Sequence, residues 1–260
     1  MSLIFLGAGA LLLAVLEQVP QLCFRKSPFL RRYFASDVIY MLTGYIAGAS
    51  LSLSYIIVGS NLIGKTLALP RLATLNLSLW ISAPLALAAL DLGQYAAHYL
   101  MHRYDFLWEF HKIHHSSQTI DWLATFRSHF VEQLLRRVVG PMLLIFAGFD
   151  VSAVLVASSI FIAWAEFNHS NLRLNLRLLE SVLISPRLHR VHHVPRTSEK
   201  NLGTIFTLWD RIRGTFISEG PSEGAVFGNG EPNYPQAWTT QLLEPILRVV
   251  RIRKASYKLT

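Results

Sequence analysis

Long apolar stretches dominate the first hundred residues of the chain. Three of them are long enough to be membrane spans, because a helix needs about 20 residues to cross a hydrocarbon core of about 30 Å. They are Ser2–Val19, Val38–Gly59 and Leu75–His98. A signal peptide is the alternative for the first stretch, but no Lys or Arg precedes it as a signal peptide requires. The pattern therefore predicts three transmembrane helices.

A fourth apolar region, Val131–Phe167, contains residues that break helices or are polar. These residues are Gly140, Pro141, Gly148 and Asp150. They suit two short helices that enter the membrane and return, a re-entrant hairpin, better than one straight span. Further along, Gln236–Lys254 alternates apolar positions with arginines, which predicts an amphipathic helix lying on the membrane surface.

These elements predict an all-α integral membrane protein that forms a single domain over residues 1–260. Residues 1–97 would hold the spans, residues 98–217 a catalytic region that caps them on the cytosolic side, and residues 218–260 a tail with the amphipathic helix. The composition agrees, since 52% of the residues are hydrophobic and only 15% are charged. Soluble domains usually carry more charge.

Charged residues between the spans predict the orientation. The first link carries Arg25, Lys26, Arg31 and Arg32, whereas residues 60–74 carry only Lys65 and Arg71. Because Lys and Arg accumulate in cytoplasmic loops, the first link is expected in the cytoplasm, and the third span then delivers the residues after it to the same side. The net charge of +8 fits basic loops that meet anionic lipid headgroups, so no nucleic-acid partner is expected.

All ten histidines lie between His98 and His193. His98 and His102 are four residues apart at the end of the third span, so on a continuing helix their rings would leave one face. The motif His-x-x-His-His then occurs twice. Its members are His111, His114 and His115 in the first copy and His189, His192 and His193 in the second. Positions i, i+3 and i+4 share a helical face, so each copy is expected to direct three imidazoles to one point.

Eight histidines at these spacings predict a metal centre. Imidazole binds zinc, copper, iron and nickel, and eight ligands are too many for one ion, so two ions with four or five nitrogens each are expected. The single cysteine, Cys23, cannot supply a cysteine-type zinc site or an iron–sulfur cluster. Around the second copy of the motif, Ser185 fits the N-cap of a helix, Pro186 fits its first position, and Pro195 would end it.

Other residues could complete the centre. His169 ends the returning hairpin at the same expected depth and is a ninth candidate ligand. His129 is either a tenth ligand or a hydrogen-bond partner oriented by Glu132, one turn further on. Glu166 is expected as a partner of the ligands or as an occasional ligand. Asp91 could accept a histidine N–H or make an unrelated polar contact.

These motifs resemble the fatty acid hydroxylase and sterol desaturase superfamily of membrane di-iron enzymes, whose signature is His-x3-4-His followed by two His-x2-His-His motifs. Further stretches also resemble bacterial members, and these are LWEFHKIHHSS, Arg127–Glu132, NHSNLR from Asn168, SPRLHRVHH and WDRIRGTF from Trp209. The resemblance covers about Asp91–Phe216, and the residues before it match only as hydrophobic spans. Phe130 stands where many relatives have proline, which leaves the role of His129 open.

The resemblance implies an enzyme that uses dioxygen and two electrons to hydroxylate or desaturate a fatty acyl, sterol-like or other long hydrocarbon lipid. It also implies that the histidines bind two iron ions, at the cytoplasmic face of what is expected to be a bacterial inner membrane. The implied metal ligands are His98, His102, His111, His114, His115, His169, His189, His192 and His193, with His129 as a further candidate.

Electrons would have to come from a separate partner, because the chain contains no haem-domain motif, no cysteine set and no dinucleotide fingerprint. A ferredoxin- or cytochrome-type donor with its reductase is expected. Its docking surface could include the basic residues of the histidine region, although lipid headgroups explain the same charge. Those residues are Arg187, Arg190, Arg196, Arg211 and Arg213.

Two other functions use the same histidines. A membrane zinc hydrolase would need Glu132 or Glu166 as its base, although no His-Glu-x-x-His motif is present. A non-catalytic carrier of metal or haem is the second alternative, and metal identity and oxygen dependence distinguish the three functions. Gly59–Thr66 formally matches a phosphate-binding loop but follows a predicted span rather than a strand. The sequence alone identifies neither the lipid nor the oligomeric state.

Overall fold

The computed structural model describes residues 3–44, 77–136, 140–222 and 224–257. The helices in these ranges are α1 (Leu3–Leu16), α2 (residues 34–44), α3 (Leu79–Arg103), α4 (Asp105–His115), α5 (Phe130–Leu134), α6 (Gly140–Phe146), α7 (Val151–His169), α8 (Pro186–His192), α9 (Leu208–Arg213) and α10 (Trp238–Tyr257). Two isolated bridges join extended segments, and the described residues form no strand. The all-α prediction is confirmed for this part of the chain.

The first two predicted spans are represented only in part. Helix α1 is strongly apolar, but its 14 residues are fewer than a full crossing needs. Helix α2 begins the second predicted span, and most of that span lies outside the described residues. The loop with Lys65 and Arg71 and the Gly59–Thr66 motif also lie outside them.

The third predicted span is the 25-residue helix α3, which is long enough to cross a membrane. Its second half carries Asp91, Gln94 and two histidines, and these polar residues lower its hydropathy. Among the described residues, α7 is the one helix that is both long and apolar enough to cross. The count of three spans therefore stays a prediction.

The predicted re-entrant hairpin differs from the observed helices. Helix α6 is short, with 7 residues, but the returning limb α7 is one helix of 19 residues. A turn with Gly148 at φ 89° separates the two, and the Asp150 side chain caps α7 by accepting a hydrogen bond from Ser152 N at 2.8 Å. No Gly or Pro interrupts α7 after that point. The prediction of a second short helix is therefore wrong.

Helices α3 and α7 form the apolar core and both end at the histidines. Small residues on the two helices, including Ala86, Ala153 and Ala157, are fully buried between them together with Leu90. A second cluster around Ile113 and Phe126 packs α4 against α2 and the C-terminal part of the chain. Helix α4 is thus fixed beside the ends of α3 and α7, where its histidines meet theirs.

The C-terminal amphipathic helix is observed as α10. Gln241 on its inner side is fully buried and donates a hydrogen bond to Ser116 Oγ at 3.0 Å, which joins α10 to the end of α4. Exposed apolar side chains in its described part include Leu243, Ile246, Leu247 and Val250. This two-sided character agrees with the predicted position on a membrane surface, which stays a prediction.

Candidate metal centre

The first two candidate ligands lie near the end of α3. Because α3 continues to Arg103, His98 and His102 leave the same helical face, as predicted, and their ring centroids are 5.0 Å apart. Tyr104 then turns the chain into α4, which begins at Asp105. This sharp corner brings the next histidine motif alongside the first pair.

The second set, His111, His114 and His115, occupies the last turns of α4, and all three rings are buried. Lys112 lies between them but points away, since its Nζ pairs with Glu109 and Glu231 at 2.7 Å each. The positive charge is therefore neutralised outside the histidine cluster. This arrangement keeps the interior of the cluster free of a competing cation.

The third set is carried by α8, whose ends match the sequence prediction. The Ser185 hydroxyl caps the helix by accepting from Leu188 N at 3.3 Å, and Pro186 is its first residue. His193 forms the C-cap, and Pro195 begins the next turn of the chain. The short helix thus holds its three histidines in a buried and fixed position.

The nine histidines assemble into two groups. In each group, one ring nitrogen from every member lies within 4.8 Å of those of the others. The five-histidine group consists of His98, His102, His111, His115 and His192, and the four-histidine group consists of His114, His169, His189 and His193. All nine predicted ligands are therefore brought together, and the predicted size of four or five nitrogens for each ion matches the two groups.

Each His-x-x-His-His motif supplies both groups. A helix turns by about 100° per residue, so positions i and i+4 differ by about 40°, while i+3 lies about 60° to the other side of i. In α4, His111 and His115 join the five-histidine group and His114 joins the four-histidine group. In the second motif, His189 and His193 join the four-histidine group and His192 joins the five-histidine group. The prediction that each motif directs three imidazoles to one point is therefore wrong.

Four of the histidines are oriented by hydrogen bonds from their Nδ1 atoms. The acceptors are Leu202 O for His98 at 2.8 Å, Glu132 Oε1 for His111 at 2.9 Å, Arg127 O for His114 at 3.2 Å and Ala165 O for His169 at 2.7 Å. Carbonyl and carboxylate oxygens only accept, so each Nδ1 carries the proton. The Nε2 atom of each of these rings is then free to offer its lone pair to a metal ion within its group.

The facing nitrogens fit a bound metal ion. Nε2 of His98 lies 2.9 Å from Nε2 of His111, and Nε2 of His114 lies 3.0 Å from Nε2 of His169. Two unprotonated nitrogens repel at this distance unless a cation lies between them. Because a metal–imidazole bond is about 2.1 Å long, adjacent nitrogens of an octahedral ion lie about 3.0 Å apart. The spacing in both groups is therefore that of a ligand set.

Other ring nitrogens support the same interpretation. In the part of the chain that the structure describes, neither ring nitrogen of His115 has a hydrogen-bond partner, although the ring is fully buried. Buried polar atoms are normally satisfied, and a metal ion would satisfy one of these two nitrogens.

Burial favours the neutral form of five of the clustered histidines. Burial, with smaller contributions from neighbouring histidines, holds the pKa well below its ordinary value for His114, His115, His189, His192 and His193. The neutral imidazole is the form that binds metals. These rings are thus ready to bind a metal at neutral pH without first losing a proton.

His129 lies outside both groups. It caps α5, where its Nδ1 accepts from Val131 N at 3.2 Å, and its Nε2 donates to Leu242 O at 3.1 Å. Glu132 does not bind His129 but accepts from His111 and from Arg136, the latter at 3.1 Å. The expected partner role of Glu132 therefore exists, but for a different histidine.

The two remaining acidic candidates have different surroundings. Glu166 is buried near the end of α7 but belongs to neither histidine group. Asp91 is fully buried and accepts from Ile205 N, Phe206 N and Trp209 Nε1 at distances of 2.8–3.0 Å. It therefore fixes the loop before α9 against α3 rather than accepting a histidine N–H.

Arg190 is not part of the basic surface that the sequence indicated. Its side chain is fully buried, lies over the ring of Phe24 at 4.7 Å from the centroid, and donates to Asn171 Oδ1 at 3.0 Å. Position i+1 of the second motif points away from the histidines into the protein, not toward solvent. The predicted exposure of Arg190 is therefore wrong.

A buried ionic network behind the four-histidine group was not predicted. The carbonyl of Arg127 orients His114, and the Arg127 guanidinium donates to Asp37 Oδ1 at 3.0 Å. Arg31 binds the other oxygen of Asp37 at 2.7 Å and pairs with Asp121. In the sequence, this network was indicated only by the resemblance of the stretch Arg127–Glu132 to other proteins. The two residues of each ion pair between the N-terminal segment and the later segment are 90 residues apart in the chain, and no common motif connects them.

Comparison with known proteins also points to the region that contains the clustered histidines. The family model described as fatty acid hydroxylase matches residues 83–215, which include all nine clustered histidines. An ornithine lipid hydroxylase from Rhizobium tropici is 31% identical over 134 residues, 51% of this chain and 40% of the relative. Alkylglycerol monooxygenase from Danio rerio is 30% identical over 169 residues, 61% of this chain and 35% of the relative. The human alkylglycerol monooxygenase is 30% identical over 162 residues, 59% of this chain and 33% of the relative.

The chain thus spans well under half the length of the curated relatives that it matches. No solved structure matches it significantly. The family match covers half of the chain and contains each histidine of the two groups. The chain therefore belongs to the fatty acid hydroxylase family.

Proposed function

We propose that this chain is a membrane-bound, iron-dependent oxygenase that hydroxylates a C–H bond of a long-chain lipid. The pair of histidine groups carries the proposal, because together they offer nine clustered imidazole rings, eight of them buried, with nitrogens at the spacing of metal ligands. Family membership and relatives named as a lipid hydroxylase and a monooxygenase support hydroxylation over desaturation. One oxygen atom would enter the lipid, and the other would leave as water after uptake of two electrons and two protons.

Two iron ions, one in each group, would supply the reduction of dioxygen and the attack on an unactivated C–H bond, which side chains alone cannot perform. His98, His102, His111, His115 and His192 would hold one ion, and His114, His169, His189 and His193 the other. Glu132 and three backbone carbonyls keep the Nε2 atoms pointing inward. Although burial opposes it, the proximity of His111 and Arg136 holds the pKa of Glu132 below its ordinary value, so this carboxylate is a weak base for a zinc hydrolase.

The lipid chain would approach the five-histidine group at the corner between α3 and α4. His102 is the one histidine of the nine that is partly exposed. The Trp108 ring lies beside it, with its centroid 5.0 Å from that of His102 and 5.2 Å from that of His115. Tyr104 and Phe106 are exposed at the same corner, at 51% and 50%. These aromatic side chains suit contact with an alkyl chain.

Electrons would come from an external ferredoxin- or cytochrome-type donor with its reductase. Arg196 and Arg213 are exposed in the histidine region and would attract an acidic donor. The charge distribution between the predicted spans supports a cytoplasmic site, and similarity to a bacterial relative supports a bacterial inner membrane.

The proposal is tested by lipid analysis of cells supplied with ¹⁸O₂ that express the chain or its variants. We expect a lipid that gains one ¹⁸O atom with the unaltered chain and not with His114→Ala or His192→Ala. His129→Ala is the matched control and should keep the product, because His129 lies outside both groups. A product without ¹⁸O, or one formed equally by His114→Ala and His192→Ala, would contradict the proposal.

A further inference from the structure

A leucine-rich loop after α7 and the short helix α9 expose large apolar side chains. We call this surface the leucine face, and it consists of Leu174, Leu178, Leu179, Val182, Leu208 and Ile212. Leu178 is 92% exposed and Ile212 is 74% exposed. Single exposed apolar residues are common, but a contiguous set marks contact with another molecule or a membrane.

Backbone hydrogen bonds make the leucine face one surface. Thr207 N donates to Val182 O at 2.9 Å, and the Thr207 hydroxyl donates to Ser181 O at 3.0 Å. Next to this pair, Ile184 N donates to Ile205 O at 2.8 Å. The loop and the start of α9 are therefore held side by side.

Two anchors fix the depth of the leucine face. Asp91 of α3 accepts from the backbone of Ile205 and Phe206, and the Trp164 indole of α7 donates to Ile184 O at 3.0 Å. Asp91 precedes His98 by about 10 Å along α3, and Trp164 precedes His169 by about 8 Å along α7. Both anchors thus lie on the apolar, N-terminal side of the histidines. The leucine face is level with the parts of α3 and α7 that a membrane would surround.

A basic cleft of about 560 Å³ borders the leucine face and is lined by Arg177, Arg187 and Arg211 together with Glu180 and Glu219. Arg187 is neutralised by Glu180, which accepts from its Nε at 3.0 Å and from its Nη2. Glu219 then balances only one of the other two arginines, so the cleft is net positive. A positive cleft beside exposed leucines has the two parts that an anionic phospholipid requires.

We propose that the leucine face enters the membrane interface and that the cleft between Arg177 and Arg211 binds the headgroup of an anionic phospholipid. Leucine side chains gain by leaving water for the acyl region, while arginines nearby bind phosphate at headgroup level. This lipid is a structural partner and not the substrate, so the proposal does not depend on the reaction that the histidines perform.

The position of the leucine face is tested by spin labels on the full chain in nanodiscs of phosphatidylcholine and phosphatidylglycerol. Labels at Leu178→Cys and Ile212→Cys would be compared with Val226→Cys, which is also well exposed, at 76%, but lies outside the leucine face. Cys23 would be replaced by serine in each. We expect the first two labels to be relaxed more by oxygen than by a water-soluble nickel complex, and the third to show the reverse. Equal nickel accessibility at all three positions would overturn the proposal.

Headgroup binding is tested by native mass spectrometry of the same protein released from nanodiscs. We expect bound phosphatidylglycerol to become about fivefold weaker for each of Arg177→Gln and Arg211→Gln, since one arginine near a headgroup contributes this much. Arg196→Gln, an exposed arginine outside the cleft, is the control and should retain the lipid. Unchanged retention in the Arg177→Gln, Arg211→Gln double variant would overturn the assignment of the cleft.

Discussion

The five-histidine group and the four-histidine group are built from the same motifs but differ in exposure and support. The five-histidine group contains His102, which is partly exposed beside Trp108, and its member His111 is oriented by the side chain of Glu132. Every ring of the four-histidine group is buried. Its members His114 and His169 bind backbone carbonyls.

The difference indicates that the two groups have different roles, although the same helices hold both of them. Because α4 and α8 each supply both groups, the distance between the groups is set by two short helices and cannot vary independently. The four-histidine group is sealed, whereas the five-histidine group opens toward the corner where an alkyl chain would approach. The comparison therefore predicts that substitutions affect the two groups unequally.

Removal of one histidine ligand should have the largest effect on metal content and activity. The effect should differ between His189 and His192, which both lie in α8. His189→Ala leaves three nitrogens in the four-histidine group, so we expect loss of one of two metal ions and no detectable product. His192→Ala leaves four nitrogens in the five-histidine group, so we expect both ions to remain, while activity falls more than about 100-fold. Metal analysis per chain distinguishes the two variants. Equal metal loss in the two variants would contradict the assignment of His189 and His192 to different groups.

Glu132→Gln should have the next largest effect and should be confined to the five-histidine group. The amide oxygen can still accept the His111 N–H but lacks the negative charge that makes the carboxylate a strong acceptor, and weakening of such a partner lowers metal affinity by about 10-fold. Metal titration of the purified chain measures the change for the weaker-binding ion. Glu199→Gln alters an exposed carboxylate and should change nothing. A weakening of both ions together would show that the two groups are not separately supported.

Trp108→Ala should change substrate selection and leave the metal content intact. The indole lies against His102 at the opening of the five-histidine group, so its loss should raise KM about 10-fold and change the preferred chain length. Kinetics with lipids of different chain length measure this effect. Trp80→Ala, at a residue that is 90% exposed, is the control. Unchanged selectivity in the Trp108 variant would place the substrate elsewhere.

Ser185→Ala should have the smallest effect and should affect both groups alike. Loss of the α8 N-cap costs about 1 kcal/mol of stability, and α8 carries ligands of both groups. A thermal melt in detergent should shift by a few degrees, with the two metal affinities falling by the same factor. Selective weakening of one ion would show that α8 does not hold the groups as a unit.

Local patterns in the sequence were sufficient for the parts of the site that depend on helical spacing. His98 and His102 share a face of α3, Ser185 and Pro186 begin α8, and His169 joins the centre. The division of each motif between two groups follows from the same helical angles, but it required the relative placement of α4 and α8. That placement arises from packing and has no local signal.

Contacts between residues far apart in the chain explain the other differences between the sequence predictions and the structure. Glu132 serves His111, 21 residues away, because α5 folds back on α4, although the local spacing favoured His129. Arg190 is buried because its position in α8 faces the Phe24 and Asn171 side of the protein. The length of α7 could have been predicted, since its start depends only on Gly148 and Asp150.

Mössbauer spectroscopy of the full chain loaded with ⁵⁷Fe under anaerobic conditions addresses the two histidine groups directly. Because the groups supply different numbers of nitrogens, the proposal predicts two iron ions per chain that give two distinct quadrupole doublets of equal area. A single iron per chain, or no histidine-dependent iron signal, would contradict the assignment of nine histidines to two iron sites.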